Sequence, residues 1–160
     1  RFFEHPGLDF IGMLRAAWTN IRHGGRKVEG ASTITQQLAR ALFLSSERSY
    51  ERKIRELVLA YKMEVVSGKE QILETYLNVA EMGEGVFGIE AAAQKHFKKS
   101  ASKLTRSQAA MIAACLPNPK RYTIKPISAY VLKRQYWVMR QMNHLKGDKE
   151  IQALLNTNDK

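Results

Sequence analysis

One stretch at residues 30–40 decides how this chain folds: Gly30-Ala31-Ser32-Thr33-Ile34-Thr35-Gln36-Gln37-Leu38-Ala39-Arg40. Thr33 is followed three residues later by Gln36, which is the pattern of a capping box and predicts the start of a helix. A helix start offers free backbone N–H groups and a positive dipole end, so it is a candidate cradle for a phosphate or a sugar. Because capping boxes are common, the local pattern by itself favours an ordinary capped helix.

The composition is that of a basic globular protein. The chain has 160 residues, 44% of them hydrophobic, so it can bury a core and is not generally disordered. Its 26 Lys and Arg against 15 Asp and Glu give a net charge of +11. Such a surplus attracts nucleic acid, anionic membrane or phosphorylated substrates without choosing among them. The single cysteine, Cys115, lies in an apolar run and is expected in the core.

Hydrophobic periodicity and capping pairs predict helices almost throughout, over 9–21, 35–44, 50–66, 67–78, 89–97, 105–116 and 128–142. Further capping pairs at Ser67 with Glu70 and at Thr105 with Gln108 support this all-α prediction. No hairpin signal is visible, and the longest apolar run is too short to span a bilayer. The apolar stripe of 9–21 is expected to pack on the core, with a helix lying on a membrane surface as the alternative.

Glu56 stands out within the predicted helix at 50–66. The apolar stripe of that helix lies on another side and consists of Ile54, Leu57, Val58, Tyr61 and Val65. With apolar residues nearly all round, the helix is expected to be buried, and Glu56 is expected to be paired, protonated or lining a cleft. The plain alternative is an Arg52–Glu56 pair along the helix, whose cation-first order is the weaker one.

Four segments resemble, in order, the peptidoglycan glycosyltransferase (transglycosylase) family. They are Arg1-Phe2-Phe3-Glu4-His5-Pro6-Gly7, Gly30-Ala31-Ser32-Thr33-Ile34-Thr35-Gln36-Gln37, Arg52-Lys53-Ile54-Arg55-Glu56 and Ile72-Leu73-Glu74-Thr75-Tyr76-Leu77-Asn78. A fifth segment, 109–119, resembles the family's closing apolar helix with its Leu-Pro-Asn-Pro end. The family is the lysozyme-like module of class A penicillin-binding proteins and also occurs as monofunctional enzymes. Residues 85–88 look more like the monofunctional branch.

The resemblance implies an all-α, lysozyme-like fold in a single domain over 1–160. Its expected parts are a membrane-facing jaw lobe and mobile loop at 8–30, a larger helical head lobe at 31–145 and a polar tail at 146–160. The implied reaction polymerises lipid II into glycan strands. The acceptor's 4-hydroxyl attacks C1 of the donor's N-acetylmuramic acid, the configuration inverts, and undecaprenyl pyrophosphate leaves.

The family's site residues carry over onto matching positions. Glu56 matches the second essential glutamate, and Arg40 and Arg48 match positions that contact the pyrophosphate. Arg40 stands where many members have lysine, which changes the donor geometry. The candidate substrate-binding set is Ser32, Thr33, Gln36, Gln37, Arg40, Arg48, Arg52 and Lys53.

Two expectations concern what lies before the first residue. Because the chain begins at Arg1 without methionine, we expect a fragment whose N-terminal membrane anchor lies outside it. The family's general base is a glutamate in a Glu-Asp pair just upstream of the first matching segment. We therefore expect residues 1–160 alone to be impaired in catalysis.

The resemblance also implies a place and partners. The expected location is the outer face of the bacterial inner membrane, with lipid II, the lipid-linked glycan, the membrane surface and cell-wall synthesis or division proteins as partners, and no nucleic acid. No cofactor is required by the sequence, although Mg²⁺ or Mn²⁺ assists some members. The four scattered histidines show no metal-ligand spacing.

Three alternatives remain open at this point. A basic helical nucleic-acid-binding module fits the charge, although the Lys and Arg are spread out and no nucleic-acid motif is present. A lysozyme-like hydrolase needs an acid for its leaving sugar and has no need of Arg40 and Arg48. A binding-only, inactive homologue is the third.

Overall fold

A computed structural model describes residues 2–3, 6–24, 30–45, 47, 49–149 and 151–153. The chain divides into two compact units, Arg1–Val79 and Ala80–Lys160. Helices make up most of both units, so the all-α fold class is confirmed. The assignment of 8–30 to a jaw lobe, 31–145 to a head lobe and 146–160 to a tail stays a prediction.

The described residues of the first unit form four helices, of which the first three begin at a side-chain cap. They are α1 (Phe10–Arg22), α2 (Ile34–Phe43), α3 (Tyr50–Val66) and α4 (Lys69–Val79). Asp9, Thr33 and Ser49 each accept a hydrogen bond from a backbone N–H of the first turn that follows. These bonds satisfy donors that a helix start otherwise leaves unpaired, which is why the helices begin where they do.

The core of the first unit forms where α2 packs against α3 and α4. Leu38 and Ala39 of α2 and Ala60 of α3 are fully buried, and Ile72 of α4 is 1% exposed. The two alanines leave room for close approach of α2 and α3, because a methyl side chain adds little to either helix radius. This close approach brings the polar start of α2 within reach of the polar residues of α3.

Two apolar stripes of this unit face solvent, so the expectation that they are buried was wrong. In α1, Leu14, Trp18 and Ile21 are 72%, 67% and 76% exposed, and Ala16 is the buried residue. In α3 the stripe is exposed at Ile54, Val58, Tyr61 and Val65. The buried residues of α3 are instead Glu56 and Ala60. The inward side of α3 therefore carries a charged residue, Glu56, together with the small apolar Ala60.

Over its described residues, the second unit adds a small hairpin and three longer helices. Strands β1 (Glu81–Gly83) and β2 (Val86–Phe87) pair antiparallel, followed by α5 (Ile89–Phe97), α6 (Arg106–Cys115) and α7 (Ala129–His144). Short 3-10 turns occupy Ala101–Lys103 and Leu145–Gly147. The sequence showed no hairpin signal because strands this short leave no alternating pattern. The turn depends on Gly85, whose φ of +66° favours glycine.

Helices α6 and α7 pack together to form the core of the second unit. The predicted Thr105–Gln108 capping box starts α6, and Ile112, Ala114 and Val131 are buried. Cys115 is 1% exposed, as predicted, and burial raises the pKa of its thiol to about 11. At neutral pH this thiol is protonated, so it acts as a small apolar core residue.

Candidate functional site

The predicted capping box at the start of α2 is present in full. The Thr33 hydroxyl accepts from the Gln36 backbone N–H at 3.2 Å, and the Gln36 side-chain Oε1 accepts from the Thr33 backbone N–H at 3.0 Å. The Thr33 hydroxyl also donates to the Gly7 carbonyl at 2.6 Å. Gln36 has no exposed surface. Both side chains thus hold the helix start together, and their contact with substrate stays a prediction.

Glu56 is buried and paired with two cations of its own helix. It is 2% exposed, and its Oε2 lies 3.0 Å from Nη1 of Arg52. Its Oε1 contacts Nζ of Lys53. The helix pair with Arg52 therefore forms despite its cation-first order, and the expectation of a paired carboxylate is confirmed. With both oxygens occupied, Glu56 fixes the positions of two positive groups.

Lys53 joins α3 to the start of α2. Its Nζ donates to the Ser32 hydroxyl at 2.9 Å while it contacts Glu56. The Lys53 side chain is 40% exposed, whereas the Arg52 side chain is 16% exposed. Glu56, Lys53 and Ser32 therefore form a chain of contacts from a buried carboxylate to an exposed hydroxyl. Because its side chain is partly exposed, the Lys53 ammonium group is accessible to a ligand.

The Gln37 side chain is held at both ends. Its Nε2 donates to the Ser32 carbonyl at 3.3 Å, and its Oε1 accepts from the Tyr76 hydroxyl at 3.1 Å. Burial raises the pKa of Tyr76 above its ordinary value, and the positive charge of Arg40 offsets part of that rise. Arg40, which is exposed in the last turn of α2, is thus close enough to Tyr76 to act on it electrostatically.

A cavity of about 420 Å³ lies between the first half of α1 and the start of α2. Its walls are Asp9, Gly12, Arg15 and Ala16 on one side and residues 30–34 with Gln37 on the other. Ser32 connects the two parts of the site, since it lines the cavity and accepts from Lys53. The lining supplies a guanidinium, an amide and a hydroxyl, which suits a polar ligand with acceptor oxygens.

The structure brings together Ser32, Gln37, Arg52, Lys53 and Glu56, with Arg40 one turn further along α2. Arg48 lies outside the described residues. Arg15 and Tyr76 were missed as site residues. Arg15 had one signal in the sequence, its place off the apolar stripe of α1, whereas Tyr76 lies 39 residues from Gln37 and had none.

No metal centre is found in the described ranges, where no group of three or more His, Cys, Asp or Glu side chains is placed to hold an ion. A divalent cation at this site would need ligands from a bound phosphate, because Asp9 is the cavity's one described acidic wall residue.

Comparison with known proteins decides the family. The sequence profile of the Transglycosylase family matches residues 1–143. The chain belongs to the transglycosylase family. It is 51% identical over 148 residues to proteins named biosynthetic peptidoglycan transglycosylase from Escherichia coli strain ATCC 8739, Shigella boydii serotype 4 and Shigella sonnei. The alignments cover 92% of this chain and 61% of each relative.

The family assignment confirms the predicted resemblance and the all-α, lysozyme-like fold class. It favours the transglycosylase prediction over the nucleic-acid-binding module and the hydrolase. The chain spans about 61% of the length of these relatives.

Proposed function

We propose that this transglycosylase polymerises lipid II into glycan strands, with undecaprenyl pyrophosphate as the leaving group. One observation carries the proposal: a buried carboxylate, Glu56, holds Arg52 and Lys53, and Lys53 reaches Ser32 at the start of α2. This arrangement fixes cations beside the donor N–H groups of a helix start, which is what a departing pyrophosphate needs.

Each group has a task in the proposed reaction. The acceptor's 4-hydroxyl forms a bond to C1 of the donor sugar, and the C1–oxygen bond to the pyrophosphate breaks. Negative charge grows on the leaving oxygens, where Lys53 and Arg40 stabilise it, assisted by Arg15 in the cavity wall. The hydroxyl proton passes to a general-base carboxylate other than Glu56, whose two oxygens are engaged by Arg52 and Lys53.

The proposal is tested by lipid II polymerisation with the protein in its natural length. We expect glycan strands from the unaltered protein and about tenfold slower polymerisation for Arg40→Ala, because one charge on the leaving group is lost. Arg55→Ala is the matched control, since Arg55 contacts Glu51 on an exposed face of α3 and its side chain is 66% exposed.

Two results would contradict the proposal. Release of sugars from finished cell wall without polymer from lipid II would identify a hydrolase. Salt-dependent retention on DNA with no binding to lipid II would identify a nucleic-acid-binding module.

We propose further that α1 lies on the membrane surface, at the outer face of the bacterial inner membrane. Five large apolar side chains are exposed on this helix: Phe10, Ile11, Leu14, Trp18 and Ile21. Arg15 and Arg22 add positive charge to the same helix. An exposed apolar face next to basic residues is typical of an interfacial helix. Among the described helices, none is long and apolar enough to cross a bilayer.

Membrane contact by α1 predicts a fluorescence result. With vesicles of phosphatidylglycerol and phosphatidylcholine, Trp18 emission should shift to shorter wavelength as its ring leaves water. Leu14→Glu should weaken vesicle binding by about tenfold or more, because a charge replaces an apolar side chain that would enter the membrane. Leu132→Glu, at an exposed position of α7, is the matched control. Equal binding by both variants would remove α1 from the membrane contact.

A further inference from the structure

The orientation of the Gln37 amide is determined by chemistry. One end of the amide lies 3.3 Å from the Ser32 carbonyl, which can only accept a hydrogen bond. The group at that end must therefore be the NH₂, and the carbonyl oxygen must face Tyr76. Because that oxygen is also an acceptor, the Tyr76 hydroxyl has to be the donor across the 3.1 Å contact.

This orientation leaves one donor unused. The NH₂ group carries two protons, and the Ser32 carbonyl takes one of them. The other has no recorded partner in the described part of the chain, and Gln37 is half-buried in the cavity wall. The unused N–H thus belongs to a residue of the cavity wall, whereas the amide oxygen of that residue is engaged by Tyr76.

We propose that Tyr76 is a positioning residue that locks Gln37 with its N–H toward the cavity and so selects ligand groups that accept hydrogen bonds. The non-bridging oxygens of a pyrophosphate are such groups. The inference rests on the proposed function for the choice of ligand, but the lock itself depends only on Tyr76, Gln37 and Ser32.

Tyrosine suits this task for two reasons. Tyr76 is 5% exposed, so its ring is fixed by packing in α4 and the hydroxyl has little freedom to leave Gln37. The raised pKa noted above keeps the phenol protonated, and therefore a donor, at neutral pH. Phenylalanine would keep the ring packing and remove the donor alone, which makes Tyr76→Phe a clean test.

The experiment is a double-mutant cycle in ligand binding. The probe is undecaprenyl pyrophosphate in detergent micelles, with undecaprenol as the reference without phosphate. Tyr76→Phe should bind the probe about fivefold to tenfold more weakly, since it costs one oriented hydrogen bond to a charged group. Gln37→Ala should lose at least as much, and the double variant should bind no more weakly than Gln37→Ala. Tyr61→Phe, at an exposed position of α3, should bind like the unaltered protein.

A second measurement does not depend on the ligand. In ¹⁵N spectra of the side-chain amides, Gln37 should show two well-separated, slowly exchanging protons. Tyr76→Phe should bring these signals together, while Tyr61→Phe should leave them unchanged. Thermal unfolding of all variants separates a loss of orientation from a loss of fold.

The outcomes are distinguishable. Unchanged binding by Tyr76→Phe, or strictly additive losses in the double variant, would overturn the positioning role. If the unaltered protein binds the pyrophosphate lipid no better than undecaprenol, the proposed function fails. The amide spectra then decide the inference by themselves, and Gln37 signals that ignore Tyr76→Phe would end it.

Discussion

Glu56→Gln is expected to slow lipid II polymerisation by about a hundredfold or more. The substitution keeps the size of the side chain and removes the one charge that both Arg52 and Lys53 contact. Arg52, with its side chain 16% exposed, is then a poorly solvated cation without a partner, and Lys53 loses the contact that directs it to Ser32. Initial rates at saturating lipid II measure the effect on the chemical step.

Glu51→Gln is the matched control for this prediction. Glu51 and Arg55 form an ion pair of 2.6 Å on the same helix, but their side chains are 73% and 66% exposed. Exposed pairs contribute about 0–1 kcal/mol, so the control should polymerise lipid II at nearly the unaltered rate. Wild-type rates for Glu56→Gln would remove Glu56 from the mechanism, and equal losses in both variants would point to an effect of net charge.

Local signals in the sequence predicted the helices well because their starts depend on neighbouring residues. Thr33 with Gln36 and Thr105 with Gln108 each form the predicted capping box within four residues of chain. The cap predicted at Ser67 was placed too early. Ser67 ends α3 by donating its N–H to the Met63 carbonyl at 2.8 Å, and α4 begins at Lys69.

Burial was harder to predict, because an apolar stripe shows which face of a helix is apolar but not whether another part of the protein covers that face. In α1 and α3 the apolar stripes are exposed, and in α3 Glu56 lies on the buried side. A charged residue faces inward there because Arg52 and Lys53, within one turn, neutralise it. For α1, periodicity alone favours packing against the core, whereas the resemblance to the family implies a membrane-facing jaw lobe.

Long-range polar contacts left no signal in the sequence. The Lys53–Ser32 bond spans 21 positions and the Tyr76–Gln37 bond spans 39. Such bonds depend on how α2 packs against α3 and α4, which the local pattern does not contain. The candidate site was therefore predictable as a set of residue types near α2 and α3, but its internal connections were not.

The second large effect is expected at Glu64, near the end of α3, which no functional prediction involved. Its Oε1 accepts from the Thr35 hydroxyl at 2.5 Å, and Nζ of Lys69 lies 2.8 Å away. The Glu64 and Lys69 side chains are 9% and 19% exposed. Glu64 therefore ties α3 to α2 through Thr35 and to α4 through Lys69.

The stem of Glu64 also packs against Gly7, where a Cβ atom would lie 2.5 Å from the Glu64 Cγ. Gly7 adopts a φ of +79°, and its carbonyl oxygen accepts a hydrogen bond from the Thr33 hydroxyl. Glu64 thus packs against Gly7, which is itself hydrogen-bonded to Thr33 at the start of α2.

Glu64→Ala is expected to destabilise the first unit by about 3 kcal/mol, because it removes both the acceptor of the buried Thr35 hydroxyl and the carboxylate of a partly buried ion pair. Since the chain has two compact units, a single unfolding midpoint can mix their transitions. Amide hydrogen exchange at Leu38 and Ala39, which are fully buried in α2, reports on the first unit alone. Exchange there should be faster by more than a hundredfold, while exchange at Ile112 in α6 should not change.

Variants of Thr35 separate the contribution of the Thr35–Glu64 hydrogen bond from that of the Glu64–Lys69 ion pair. Thr35→Val keeps the shape and removes the donor to Glu64, so it should destabilise the first unit by about 1–2 kcal/mol. Thr35→Ser keeps the donor and loses a buried methyl group, which costs about 1 kcal/mol. In combination with Glu64→Ala, Thr35→Val should cost less than it does alone, because the acceptor is already gone. Fully additive losses would mean that Thr35 and Glu64 act independently, and unchanged exchange in Glu64→Ala would mean that α2 is held by apolar packing alone.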